Sequence, residues 1–213
     1  MKRRNALMAI AGIFLPVSSA LAQSQERLPL DQMRPYIQVK TVPGDEFTVR
    51  AFFSPTCTYS KQYYPFFKNL SRTLPQGQQF EFTPLVNKLD GLPFPMAFYA
   101  VRRYYPAYLA NFMEAAFQGV QDLGLSPKNW AAIDRIGKAA RIPASVPKLV
   151  QDHLAEIQRE IDVAIERQGK MKITNTPTIS VAGTYTVTPE FTGGDAEQFS
   201  NLVNGVISMA SLR

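Results

Sequence analysis

The sequence predicts an α/β domain in which a central mixed sheet is flanked by helices and interrupted by a helical insertion. Three observations predict it. Two runs rich in β-branched and aromatic residues, 47–53 and 79–86, are separated by a segment of helical length, which is the crossover that a parallel strand pair needs. A block with helical apolar spacing, 94–168, follows. Two short strand-like runs and a helix then close the chain, an order that suggests an antiparallel edge on the same sheet.

Taken in order, the chain opens with Met1-Lys2-Arg3-Arg4 and runs apolar from Ala6 to Val17. It then reaches Ser18-Ser19-Ala20-Leu21-Ala22. A basic start, a short apolar core and a closing A-x-A pattern predict a secretory signal peptide over residues 1–22, and so a periplasmic protein. The apolar run is too short to span a bilayer, and no second long run follows, so no stable membrane span is expected after cleavage. Residues 23–213 are expected to form one domain with its own core.

Tyr36–Lys40 alternates like a strand, and 41–45 reads as a turn. Phe47–Phe53 reads as a buried strand, broken by Ser54-Pro55-Thr56. A helix is predicted from near Cys57 to Thr73, bent at Pro65, before the strand 79–86. Within the insertion, the spacing predicts one helix over 94–117 and a second from Ser126-Pro127 through Ala140. A third runs from Ser145-Val146-Pro147 to Gln168, with Gly169 as its C-cap. Thr178–Val181 and Thr184–Val187 predict a hairpin around Ala182-Gly183. From Asp195 to Leu212, residues Phe199, Leu202, Val203, Val206 and Ile207 share one helical face.

The leader holds three cations and no acid, so the net charge of +6 falls to +3 without it. The remaining Lys and Arg are scattered among acids, and nothing favours a nucleic-acid partner. Cys57 is the only cysteine, so no internal disulfide forms, and the thiol is free, paired with another molecule, or a buried apolar residue. His153, the only histidine, reads as a solvated residue of the third predicted helix, and one Cys with one His predicts no metal site and no cofactor. Tyr63, Tyr64, Phe66 and Phe67 read mostly as core, and Tyr99, Tyr104, Tyr105 and Tyr108 as packing on the first helix of the insertion.

The informative stretch is Phe52-Phe53-Ser54-Pro55-Thr56-Cys57-Thr58-Tyr59-Ser60-Lys61. A buried strand ends and a helix begins at the cysteine. The unpartnered N–H groups and positive dipole end of a helix N-terminus favour a thiolate over a thiol, which predicts a nucleophilic sulfur. Ser60 lies one turn on, either as an ordinary first-turn serine or with its hydroxyl on the sulfur, and Lys61 adds positive charge nearby.

This arrangement resembles the thioredoxin superfamily, and most closely its DsbA-like exported thiol–disulfide oxidoreductases. The residues that carry the resemblance are Cys57-Thr58-Tyr59-Ser60, in the place of a C-x-x-C motif, and Thr176-Pro177-Thr178 before the hairpin, in the place of a cis-proline loop. The block at 94–168 is similar to the helical insertion of that branch. The resemblance implies a thioredoxin-like fold, Cys57 as nucleophile, Ser60 at the second motif position, and a groove for an extended partner segment lined by Thr58, Tyr59, Thr176 and Pro177. It also implies clients that are exported proteins with cysteines.

The departure is Ser60, where the family has its second cysteine. A mixed disulfide at Cys57 then needs an outside thiol for release. Two other functions stay open: a non-catalytic binding or chaperone component of a cell-envelope secretion or conjugation apparatus, and, ranked last, a glutathione-using transferase or isomerase. About a dozen residues stand between the leader and Tyr36, too few for a dimerisation domain, so a monomer or a Cys57-linked dimer is expected.

Overall fold

In the computed structural model, which describes residues 34–211, the chain runs β1 (Ile37–Gln38), β2 (Thr48–Phe53), α1 (Thr58–Thr73) and β3 (Gln79–Pro84). The insertion follows as α2 (Pro93–Tyr104), α3 (Leu109–Phe117), α4 (Trp130–Ala139), α5 (Val146–Asp152) and α6 (Leu154–Lys170). The chain closes with β4 (Thr178–Val181), β5 (Tyr185–Val187) and α7 (Ala196–Ser211). The predicted leader, residues 1–22, lies outside the described residues. No described helix is long and apolar enough to cross a membrane.

The sheet has the order β1-β5-β4-β2-β3. β2 and β3 are parallel, with α1 as the crossover, and Val49 faces Phe80 in the register. β4 pairs antiparallel with β2, β5 antiparallel with β4, and β1 antiparallel with β5 at the edge. All six residues of β2 are buried, because the sheet is covered on both faces. On one face Val49 and Ala51 pack with Tyr63, Phe67 and Leu70 of α1 and with Phe199, Val203, Val206 and Ile207 of α7. On the other, Phe52 packs with Val42, Leu85, Met171 and Ile173. Phe53, at the strand's end, joins the sheet to the insertion, with its ring 5.5–6.0 Å from those of Phe94, Phe98 and Phe117.

The insertion departs from its predicted boundaries in three places. The expected helix over 94–117 is α2 and α3, because Pro106 forces Tyr105 out of helical geometry, to φ −135° and ψ 51°. The second helix starts at Trp130 rather than Pro127. Asn129 caps it, accepting N–H bonds from Ala131 at 2.8 Å and Ala132 at 3.2 Å, while Ser126 and Pro127 lie in the turn before it. The third is α5 and α6, broken at His153, which stacks on Tyr104 with ring centroids 4.0 Å apart. Gly169 stays inside α6, and the left-handed residue after it is Lys172, at φ 54°.

β2 also carries a buried cation. Arg50 donates to Asp45 at 2.9 Å, to Glu81 at 2.6 Å and to Thr83 at 2.9 Å. Arg167 of α6 approaches Asp45 at 2.9 Å, off the hydrogen-bonding direction. Arg102 of α2 lies 3.6 Å from Glu81 and bonds Glu160 of α6 at 2.6 Å. The network ties the sheet to two helices of the insertion, and each buried charge has an opposite partner, as burial requires.

Burial pushes the Glu81 carboxyl up, but Arg50, Arg102 and Arg167 outweigh it and hold the group below its ordinary value of 4.5. A depressed carboxylate stabilises the fold fully above its unfolded value and loses that contribution as pH falls through its folded value. E81Q is therefore expected to lower stability at neutral pH and to flatten the acid limb below about pH 4.5. Urea unfolding of both proteins between about pH 3 and 7 checks this; parallel acid limbs would remove Glu81 from the account.

Candidate active site

The corner between β2 and α1 is held in part by its own backbone and hydroxyls. Cys57 is the N-cap of α1, at φ −83° and ψ 117°. Its N–H donates to Ser54 O at 3.2 Å, and its carbonyl accepts from Lys61 N at 3.3 Å. The thiol is partly exposed, and its Sγ donates to the carbonyl of Thr176 at 3.0 Å. These residues are 119 positions apart in the chain. They meet because β2 and β4 are antiparallel, with Phe52 opposite Thr178, so the end of one strand faces the loop that opens the other. The Thr176–Pro177 bond in that loop is cis.

Around the sulfur, Thr58 and Tyr59 are exposed and Thr176 is half-buried, while Pro177 is buried. Ser60 differs from the thiolate-bonding alternative. It is fully buried, and its hydroxyl accepts from Ser54 N at 3.3 Å. Among the described residues no hydrogen bond joins it to the sulfur. The reason is local: Ser54 N–H sits at the end of a buried strand and needs an acceptor, which the first turn of α1 supplies. The charge of Lys61 is paired with Asp122, at 2.5 and 2.7 Å.

Two anchors went unread in the sequence. Thr56 donates to Asp90 Oδ1 at 2.7 Å, and its hydroxyl lies 2.8 Å from that of Ser54. Asp90 is fully buried and accepts at Oδ2 from Asn87 Nδ2 at 3.0 Å. The signal that finds it is Asn87-x-x-Asp90 ahead of Gly91 and Pro93, a loop in which Asn87 Oδ1 accepts the Asp90 N–H at 2.8 Å. The second anchor is Gln121, whose Nε2 donates to Pro55 O at 2.9 Å and to Cys57 O at 3.0 Å. No local sequence pattern marks it. Exposed apolar side chains stand beside these anchors: Tyr59 after the cysteine, Leu89 and Leu92 around Asp90, and Leu123 after Asp122.

The sheet order, the helical insertion after β3 and a cysteine at the β2–α1 corner define a thioredoxin-like fold of the DsbA type. Among solved structures, the chain is similar to the oxidoreductase DsbA from Xylella fastidiosa, at 19% identity and a TM-score of 0.70, with 84% of this chain and 96% of that one covered. DsbA from Pseudomonas aeruginosa matches at 16% identity and a TM-score of 0.73, covering 84% and 94%. A cysteine-to-serine variant of Proteus mirabilis DsbA, solved with a non-covalently bound peptide PWATCDS, matches at 16% and 0.64, covering 84% and 97%. No family model and no curated protein matches the sequence.

Removing the Asp90 carboxylate leaves the Thr56 hydroxyl and the Asn87 amide without their buried acceptor. D90A is expected to destabilise the fold by about 1–3 kcal/mol, with D90N intermediate because its amide oxygen still accepts from one of the two donors. Urea midpoints measure this; a D90A midpoint equal to the wild type would show that the anchor contributes nothing.

Proposed function

We propose that this chain is an exported thiol protein that acts on the disulfides of other exported proteins in the periplasm, through mixed disulfides at Cys57. The observation that carries the reading is the partly exposed Sγ at the start of α1, 3.0 Å from the Thr176 carbonyl of the facing loop. Cys57 is the N-cap of α1, and in disulfide exchange the thiolate is the attacking form. When the sulfur enters a mixed disulfide, Thr176 O loses its donor and becomes free to accept an N–H from an extended partner chain. Thr58, Tyr59 and Thr176 are the accessible groups for that chain, and the exposed Leu89, Leu92 and Leu123 suit an apolar segment. The peptide held non-covalently by the Proteus mirabilis DsbA variant is the kind of ligand in view.

The Cys57 thiolate attacks one sulfur of a client disulfide. The client S–S bond breaks, a Cys57–client disulfide forms, and the other client sulfur leaves as a thiolate that takes up a proton. The sequence offers no second cysteine to displace the client. Release requires a second thiol, from the client or a small molecule, which attacks the mixed disulfide and returns Cys57 as thiolate. With a client thiol the disulfide is rearranged without net oxidation; with a small external thiol the attack leaves a client–small-molecule disulfide, which a second small thiol cleaves to give the reduced client and the small molecule's own disulfide.

Incubation with a disulfide-bonded peptide, followed by intact-mass measurement, tests this. The wild type is expected to accumulate an adduct that added thiol removes, and C57A to form none. Absence of an adduct on the wild type overturns the proposal, and partners that C57A captures as well as the wild type does would make the protein a binding component instead.

A further inference from the structure

We infer that Gln121 is a positioning residue for Cys57, holding the nucleophile in register with the facing loop; the inference rests on the function proposed above. Gln121 lies on a π turn, Gln118–Asp122, that extends α3. In that turn Leu123 N bonds Gln118 O, five residues back, at 3.2 Å. Such turns are rare and concentrate at functional sites. This one is pressed onto α4: Gly119 is buried, and a Cβ there would sit 3.1 Å from Leu125 and 3.2 Å from Ile136. The base from which the Gln121 side chain reaches is therefore rigid.

The side chain spends both amide N–H groups on the cysteine's own loop, at Pro55 O and Cys57 O. Both partners are acceptors only, so the orientation of the amide is forced. Among the described residues, Pro55 O receives no backbone N–H, so Gln121 is its donor. Together the two bonds fix the Pro55–Thr56 and Cys57–Thr58 peptide planes, the second of which sets the ψ angle of Cys57. They thereby set the extended geometry of Cys57 that places Sγ beside Thr176 O. The proposed partner chain would present its sulfur along Thr176, so a loosened Cys57 costs most when the electrophile is held there. A small disulfide that diffuses in freely is less sensitive.

Two electrophiles with the same leaving group separate these cases: dithiodipyridine, and a short synthetic peptide whose cysteine is capped as a pyridyl disulfide. In each reaction Cys57 sulfur bonds to the attacked sulfur and thiopyridone departs, which is followed by absorbance. Q121M, which keeps the size and removes both donors, and Q121E, which sets a carboxylate against two carbonyls, are expected to lower the ratio of peptide rate to small-disulfide rate about tenfold. Q118E makes the same Gln-to-Glu change on the same turn at an exposed side chain and is expected to keep the wild-type ratio. Amide hydrogen exchange at Cys57 and Lys61, whose N–H groups bond within this loop, is expected to speed up in Q121M and not in Q118E. An unchanged ratio with unchanged exchange in Q121M overturns the role of Gln121, as does an equal fall of the ratio in Q118E. A wild type inert to both disulfides overturns the proposed function, while the exchange comparison still decides the placement of the loop.

Discussion

The antiparallel register of β2 and β4 is the constraint on which the candidate site depends. Phe52 lies opposite Thr178, so the chain leaving β2 and the chain entering β4 emerge at the same end of the sheet. A slip of one residue would turn Val49 and Ala51 away from α1 and α7 and bring Arg50 into their place. Burial on both faces makes such a slip costly. The register is set by packing, and the 3.0 Å approach of Cys57 to Thr176 follows from it.

The helical insertion is joined to that sheet by unlike means at its two sides. At the end of β2, aromatic edges from α2 and α3 surround Phe53, each pair contributing about 0.5–1.5 kcal/mol beyond its burial. In the middle of the strand the link is ionic, running from Arg50 through Glu81 to Arg102, and through Asp45 to Arg167. The aromatic joint lies next to the loop that carries Cys57, and Gln121 and Asp122 extend it to Pro55, Cys57 and Lys61. The insertion is therefore part of the wall of the site as well as a cover for the sheet.

What the sequence made legible follows from how strongly each feature depends on pattern. Strands β2 and β3 and the crossover α1 are written in residue type and length alone, and their order points to the parallel pair. Cys57, with Thr176 and Pro177, stands out because a thiol at a strand-to-helix corner and a proline before a hairpin are local motifs. Pro106 carried a break signal that the helical spacing around it masked, and Asn129 was as good a cap as Ser126. The break at His153 has no such mark; neither proline nor glycine stands there, and the ring packs on a tyrosine some fifty positions away in sequence. Asp90 and Gln121 were hidden for a related reason. A polar residue in a loop looks alike in sequence whether it faces water or a carbonyl, and only the tertiary fold decides which.

Ser60 shows how a position inherited by resemblance acquires a separate physical role. An alcohol forms no disulfide, so on the proposed chemistry a partner bound at Cys57 stays until another thiol, the client's own or a small molecule's, attacks. Yet the residue is not vacant of work: its buried oxygen receives the N–H of Ser54, where the strand's own ladder has ended. An apolar residue there would leave that N–H without an acceptor, a loss comparable to about 1–3 kcal/mol. The serine thus braces the same loop that Asp90 holds through Thr56 and Gln121 through two carbonyls. The loop is fixed from three directions, and the sulfur it carries stays partly exposed.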